Sequence, residues 1–287
     1  MKRIIKKIHR AEGRPTGYLA TVSPLPTRSL SQIDPFIFLN HHGPQDFGPN
    51  NQGLPFGPHP HRGIETITFI VAGDIVHQDS GGHRSVIEGG GIQWMTAGSG
   101  LLHSETSSEK FINEGGELEI LQLWLNLPAK LKWAEPDYHG MEDSTIPRVA
   151  IDASGSAIKL IAGEWQGQQG AHQALTDVFI SELSIASGGN FTANIEEERN
   201  IFLYLISGRA RVNDQDVEAT ELVEFDNQGS KLEITAEEDS LFIFGHATPY
   251  NEPVVADGPF VMNTRQEILQ AYHDYHAGKM GTWGDDG

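Results

Sequence analysis

Residues 53–65 read GLPFGPHPHRGIE, and residues 98–105 read GSGLLHSE. Each segment carries two potential metal ligands separated by one residue, namely His59 and His61, then His103 and Glu105. In an extended strand, residues i and i+2 point to the same face of the sheet. If both strands face the inside of one small barrel, three imidazoles and one carboxylate converge. The two segments therefore predict a metal site.

The surroundings of both pairs favour strands over solvated loops. The β-branched run ETITFIVA follows the first pair and ends at the turn glycine Gly73. Gly98 and Gly100 precede the second pair and permit a tight approach of the backbone. The alternative, that His59 and His61 are loop histidines beside prolines, stays open but is disfavoured.

Other histidines in this third of the chain compete with these ligands. His41 and His42 follow a short apolar strand, and could either lie near the site or cap that strand in water. We interpret His77 and His83 as polar hairpin positions on the outer side of the sheet. The hairpin itself is predicted to pair residues 64–71 with residues 74–78 across the turn at Gly73.

Composition limits the classes of protein to which the chain could belong. The 287 residues suffice for two domains, and 32 Gly with 15 Pro suit short strands joined by turns. The absence of cysteine from the sequence excludes disulfides and thiolate ligands, so any metal is held by N and O atoms. A net charge of -19 disfavours direct binding to nucleic acid. We find no signal segment and no apolar run long enough to span a bilayer, and we expect a cytoplasmic protein.

Several longer strings resemble known proteins. The strings are HPHRGIET at 59–66, QWMTAG at 93–98, HSE at 103–105, QLWLNLP at 122–128 and HATPYNEP at 246–253. The spacing of the first motif resembles the cupin superfamily, and the strings together resemble the pirin family specifically. The resemblance covers nearly the whole chain. It implies an all-β fold of two tandem cupin-type β-barrels, each a double-stranded β-helix or jelly roll.

The resemblance also implies which residues bind the metal. In pirin-like proteins the ligands correspond to His59, His61, His103 and Glu105. In the general cupin pattern the glutamate at position 65 is a ligand, but the pirin resemblance makes Glu65 a non-ligand. The second motif is irregular as well, because Gly98 stands where cupins usually have proline.

The rest of the chain predicts a second, degenerate barrel and a terminal helix. We place an N-terminal metal-binding barrel at 1–135 and a degenerate barrel with the helix at 136–287, joined through a polar linker at 129–147. Alignment on Gly73 and Gly208 sets His59, His61 and Glu65 against three residues that do not form a histidine site, Asn194, Glu196 and Asn200. Thr264 and Glu267 form a predicted capping box for a helix over residues 263–277. Residues 281–287 are expected to fray.

Three imidazoles and one carboxylate suit Fe(II), Mn, Co, Ni, Cu or Zn. A closed tetrahedral zinc site would be structural, whereas open positions would admit substrate and dioxygen. Pirin-like proteins are associated with quercetin 2,3-dioxygenase activity, and some bind transcription regulators as iron-dependent cofactors. The resemblance thus implies an Fe(II) dioxygenase that cleaves a flavonol ring with loss of carbon monoxide, with Glu105 as catalytic base. The alternative is a redox-sensing protein that binds a protein partner.

Overall fold

A computed structural model of the chain describes residues 1–283, and most of them lie in β-strands. Two α-helices are present in this part, α1 at Glu109–Glu114 and α2 at Arg265–His276, with 3-10 turns at Ala129–Leu131 and Asp143–Thr145. The first thirteen strands, β1 to β13, are Ile5–Arg10, Glu12–Gly13, Thr21–Leu25, Phe36–Phe47, Phe56–His61, Ile64–Ala72, Asp74–Asp79, Arg84–Glu88, Ile92–Thr96, Leu101–Thr106, Gly116–Asn126, Asp137–Met141 and Arg148–Ala150. The next thirteen, β14 to β26, are Ala157–Ala162, Glu164–Trp165, Gln168–Gln169, Phe179–Ile185, Asn190–Asn194, Asn200–Ser207, Arg209–Val212, Gln215–Glu218, Glu221–Phe225, Lys231–Ala236, Ser240–Ala247, Val255–Asp257 and Phe260–Met262.

The compact unit that carries the first barrel comprises Pro15–Thr21, Phe38–Asp143 and the chain from Tyr250 onward. One of its sheets has the strand order β12–β9–β6–β11–β4, and the other has the order β5–β10–β7–β8. Apolar side chains from both sheets and from α1 form a buried cluster that includes Ile70, Ile75, Phe111 and Ile120. Burial of such a two-sided core drives the closure of the sheets.

The second compact unit comprises Met1–Arg14, Val22–Ile37 and Ser144–Pro249. Its sheets have the orders β1–β22–β19–β24–β17–β14–β13 and β18–β23–β20–β21. Strands β17 to β24 therefore pair in the same order as strands β4 to β11. Helix α1, which lies between β10 and β11, belongs to the first series alone. Gly73 and Gly208 end equivalent strands, and both have left-handed φ angles, 85° and 90°. The prediction of two tandem cupin-type barrels with a C-terminal helix is confirmed.

The predicted hairpin between β6 and β7 is wrong. Strand β6 pairs with β9 and β11, whereas β7 pairs with β8 and β10 in the other sheet. The turn at Gly73 therefore carries the chain from one sheet to the other instead of folding it back on itself. Strand β11, predicted to be buried on both faces over residues 118–127, runs from Gly116 to Asn126 and is mostly buried.

The two compact units are not continuous in sequence, unlike the predicted division at residue 135, which stays a prediction. Within the predicted linker, strand β12 pairs with β9 and extends the first barrel's sheet. Helix α2, predicted to belong with the second barrel, lies in the compact unit of the first. Its own neighbours explain this position, because Arg62 donates a hydrogen bond to Asp274 on the helix at 2.9 Å.

Helix α2 itself follows the sequence prediction closely. Thr264 is the N-cap, and its side chain and that of Glu267 form the predicted capping box. Ile268 and Ala271 are buried in a small apolar cluster with Phe260. Residues 281–283 have no regular secondary structure, and residues 284–287 of the segment expected to fray lie outside the described part of the chain. No helix of the described residues is long and apolar enough to cross a membrane.

A buried lysine joins three segments of the first barrel's unit. The ammonium of Lys132 donates hydrogen bonds to the carbonyl of Gly63, to Asn126 Oδ1 and to the carbonyl of Val261, at 2.9, 2.7 and 2.9 Å. Burial lowers the pKa of Lys132 to about 8. We expect Lys132→Met to reduce the free energy of unfolding by about 2–4 kcal/mol, because three buried acceptors lose their donor. Urea denaturation measures this loss, and equal midpoints for Lys132→Met and a control in the exposed Lys130, Lys130→Met, would contradict it.

Candidate metal centre

Strands β5 and β10 bring the predicted ligands together. The strands pair in antiparallel register, with His103 directly opposite His59 and Leu101 opposite His61. Because side chains alternate between the faces of a strand, both pairs point to the inside of the barrel. The ligand nitrogens of His59, His61 and His103 lie within 4.8 Å of one another. We call these three residues the histidine trio.

Backbone carbonyls fix the tautomers of two members of the trio. Nδ1 of His59 lies 2.8 Å from the carbonyl oxygen of Gly57, and Nδ1 of His61 lies 3.1 Å from that of Pro259. A carbonyl oxygen can only accept, so each Nδ1 carries the proton and each Nε2 carries a lone pair. The carbonyls act as outer partners that orient metal-binding imidazoles.

One nitrogen of the trio has a buried lone pair without a hydrogen-bond partner, as a metal ligand would have before the metal binds. Nε2 of His59 and Nε2 of His103 lie 2.9 Å apart. Nε2 of His61 is buried and has no hydrogen-bond partner among residues 1–283. Burial, followed by the neighbouring imidazoles, lowers the pKa of His61 to about 3 and that of His103 well below its ordinary value. The buried, neutral imidazoles of His61 and His103, together with the Nε2 lone pair of His59, fit a divalent metal ion.

Glu105, the fourth predicted ligand, lies on the same strand but is held by its own hydrogen bonds. Its Oε1 accepts from Thr68 Oγ1 at 2.9 Å, and its Oε2 accepts from Nε2 of Gln122. Oε1 of Gln122 in turn accepts from Nε1 of Trp124 at 3.1 Å. This chain of donors leaves the carboxylate buried in a fixed orientation. The convergent group consists of the trio, and coordination by Glu105 stays a prediction.

The other carboxylate and the two early histidines have partners of their own. Glu65 is fully buried, and its Oε1 accepts from Trp94 Nε1 at 3.1 Å and Thr96 Oγ1 at 2.7 Å. Burial raises its pKa. His41 pairs with Glu119 at 2.8 Å, and His42 with Thr21 at 2.7 Å. None of these three residues belongs to the trio.

The interpretation of His77 as an outward-facing residue is wrong. His77 is buried and lies opposite Glu105 in the pairing of β7 with β10. Its ring stacks on Tyr138 at 3.8 Å and lies 5.5 Å from that of His103. The error follows from the wrong hairpin, because pairing with β10 instead of β6 places this face of β7 inside the barrel. The overlooked signal was that His77 lies two residues after Ile75, and therefore shares a strand face with an apolar residue.

Sequence reasoning also missed the residues that support the ligands. Thr68 and Gln122 hold Glu105, and Trp124 packs edge-on against His61 with ring centroids 5.0 Å apart. The sequence shows that Thr68 on β6, and Gln122 and Trp124 on β11, alternate with apolar residues. It does not show that these side chains contact Glu105 and His61. The carbonyl of Pro259 lies 198 residues from His61 in sequence, which no local pattern could reveal.

The sequence matches two family models. Residues 18–125, which include the trio and Glu105, match the model described as Pirin, and residues 180–281 match the Pirin C-terminal cupin domain. A pirin-like protein of Solanum lycopersicum is 34% identical over 283 residues, covering 97% of this chain and 92% of the relative. The chain belongs to the pirin family. The prediction made from the sequence strings is confirmed.

Other pirin relatives carry the name of an enzyme. A Pseudomonas aeruginosa protein provisionally named quercetin 2,3-dioxygenase is 35% identical over 261 residues, covering 88% of this chain and 91% of the relative. A crystal structure titled quercetin 2,3-dioxygenase, from Acinetobacter baumannii, has a TM-score of 0.92 and 32% identity, covering 98% of this chain and 99% of its own. Family, fold and trio together support a metal-dependent, dioxygenase-like role with a small-molecule substrate.

Proposed function

We propose that the chain is an Fe(II)-dependent dioxygenase that opens the central ring of flavonols such as quercetin. The observation that carries the proposal is the convergence of three imidazoles in the histidine trio, with the unpartnered Nε2 of His61 among them. The names of the relatives from Pseudomonas aeruginosa and Acinetobacter baumannii support the choice of substrate.

His59, His61, His103 and Glu105 would hold the metal. Three imidazoles and one carboxylate are hard enough for Fe(II), and the arrangement is similar to non-haem iron sites with one additional histidine. When bound, the dication would acidify a coordinated hydroxyl and supply a redox-active centre for dioxygen chemistry. Mn, Co, Ni, Cu and Zn suit the same ligands, so the choice of iron requires a direct test.

Glu105 would act on the proton of the substrate. Thr68 and Gln122 restrain its carboxylate, so a substrate hydroxyl inside the barrel would meet an acceptor that is already oriented. The bound dication would acidify the flavonol 3-hydroxyl. Transfer of its proton to Glu105 would therefore depend on correct binding of the substrate.

Aromatic side chains beside the trio would accommodate a flavonol. Trp124 packs on His61, and Phe38 stacks on Trp124 with ring centroids 4.4 Å apart. Such surfaces bind planar rings and reduce the access of water to the reacting atoms. This feature favours a polycyclic aromatic substrate over a small aliphatic acid.

The test is turnover by chain that has been stripped with a chelator and reloaded with one metal at a time. With Fe(II), we expect quercetin absorbance to fall under air and one carbon monoxide to be released per ring opened. The same loading with Mn, Co, Ni, Cu and Zn shows whether another metal works better. If no metal supports ring opening, the dioxygenase proposal fails, and binding of a protein partner in a redox-dependent manner takes its place.

A further inference from the structure

The second barrel contains a cavity of about 830 Å³ that the proposed reaction does not use. This volume lies in the range of small-molecule binding sites. The side chains that decide its chemistry come from β15, β17, the end of β18, the loop that follows β18, and β24. They are Trp165, Phe179, Asn194, Glu196, Arg199 and His246.

The cavity occupies the place that the metal centre takes in the first barrel. Alignment on Gly73 and Gly208 sets the two histidines of β5 against Asn194 and Glu196, and both of these residues line the cavity. The second barrel has therefore kept an open end where the first has its ligands. An amide and an exposed carboxylate replace the two imidazoles.

His246 stands where the first barrel has Trp124. Strand β11 pairs Trp124 with Thr66 on β6, and β24 pairs His246 with Ile201 on β19, the strand equivalent to β6. The ring of His246 lies flat on Phe179, with centroids 4.8 Å apart and an interplanar angle of 8°. The second barrel thus has an imidazole at a wall position that carries an indole in the first.

The protonation state of His246 follows from its neighbour. Nε of Arg199 donates a hydrogen bond to Nδ1 of His246 at 2.8 Å. Because a guanidinium cannot accept, Nδ1 carries the lone pair and Nε2 carries the proton. Burial, reinforced by the charge of Arg199, lowers the pKa of the ring to about 3, so the imidazole is neutral. Its Nε2–H has no partner among the described residues and is a donor available to a ligand.

The N–H groups of Arg199 are all occupied by protein acceptors, so none is left to bind an anionic ligand. Besides His246 Nδ1, its guanidinium donates to the carboxylate and the carbonyl of Asp177, to the carbonyl of His246 and to Thr248 Oγ1. These contacts use the five N–H groups, and the Asp177 carboxylate neutralises the charge. Glu196 adds a further negative charge to the lining. An anionic ligand would therefore meet repulsion without compensation.

One wall of the cavity is suited to stacking. Trp165 is half-buried, and its ring lies 5.4 Å from that of Phe191 at an angle of 28° and 6.0 Å from that of Phe179. Phe179 itself is buried. The neighbouring rings hold the indole in place, so an incoming planar ring would find a preformed surface.

We propose that the second barrel binds an uncharged planar aromatic molecule, which stacks beside Trp165 and accepts a hydrogen bond from Nε2 of His246. The site takes an acceptor such as a carbonyl oxygen or a ring nitrogen, and it discriminates against carboxylates. It is separate in function from the metal centre, because it uses no residue of the first barrel.

The test uses benzamide and benzoate, which have the same ring and size but differ in charge. Titration of the intact chain, followed by calorimetry, should give one saturable benzamide site per chain with a Kd on the order of 1 mM, as expected for so small a ligand. Benzoate should bind at least about tenfold more weakly. Equal affinity for the two probes would overturn the proposed selection by charge.

Matched variants locate the binding. We expect Trp165→Ala and His246→Phe each to weaken benzamide by about tenfold or more, since they remove the wall and the donor. His246→Gln should bind within about threefold of the original chain, because its amide can accept from Arg199 and donate to the ligand. Trp133→Ala, which removes a half-exposed tryptophan of the other unit, should change nothing.

The binding measurements on these variants distinguish a ligand site from a merely structural cluster. If benzamide does not bind saturably, or binds Trp165→Ala and His246→Phe as well as the original chain, the proposal is wrong. Thermal unfolding of each variant shows whether the fold is kept. Retention by His246→Gln together with loss in His246→Phe is the result that a merely structural role for His246 would not give.

Discussion

Glu105→Gln should lower flavonol turnover per bound metal by about 10²-fold or more, the typical contribution of a general base. Glutamine keeps the size and one carbonyl oxygen of the side chain, so the hydrogen bond from Thr68 can persist. It removes both the negative charge and the basicity, and part of the metal should be retained. The measurement is the rate of quercetin loss divided by the metal content determined on the same sample.

The control for this prediction is Glu88→Gln, which removes an exposed carboxylate from the same barrel. Its turnover per metal should equal that of the original chain. If Glu105→Gln also keeps full turnover per metal, Glu105 acts at most as a ligand, and the proton must leave by another route. If Glu105→Gln loses the metal altogether, its coordination is supported, and the role as base has to be tested by the dependence of turnover on substrate acidity.

The double variant His59→Ala, His61→Ala should reduce metal content from one per chain to below about one tenth. Two of the three convergent imidazoles disappear, and His103 with one carboxylate cannot retain a dication against a chelator. Elemental analysis after dialysis measures the occupancy. Flavonol turnover should fall with it.

A matched control removes two exposed histidines from helix α2, in the variant His273→Ala, His276→Ala. It should keep one metal per chain. Full occupancy in the double variant of the trio would place the metal elsewhere. Two metals per chain in the original protein would contradict the view that the second barrel has lost its ligands.

The local patterns of the sequence predicted the trio, and the resemblance to the pirin family implied the fold of two barrels. The spacing of His59 and His61 requires only that a strand alternates its faces, and the capping box of Thr264 requires only three residues of helix. Both are short-range rules, and the structure follows them. The repeat of the barrel was visible at Gly73 and Gly208, because both turns need a left-handed glycine.

The errors concern partners that are distant in sequence. A turn at Gly73 is compatible with a hairpin or with a crossing between sheets. The crossing forms because β9 and β11 pair with the two edges of β6 and leave no edge for β7. His77 was misplaced for this reason. The position of α2 depends on Arg62 and Asp274, and the tautomer of His61 on Pro259. Such contacts lie beyond the reach of periodicity and spacing.

The most direct test of the metal centre is a crystal structure of the metal-loaded chain with anomalous diffraction at the absorption edge of the metal. We expect one peak per chain in the first barrel, bonded to Nε2 of His59, His61 and His103, with a carboxylate oxygen of Glu105 as the fourth protein ligand. A peak away from the trio, or a second peak in the cavity lined by Asn194, Glu196 and His246, would contradict it.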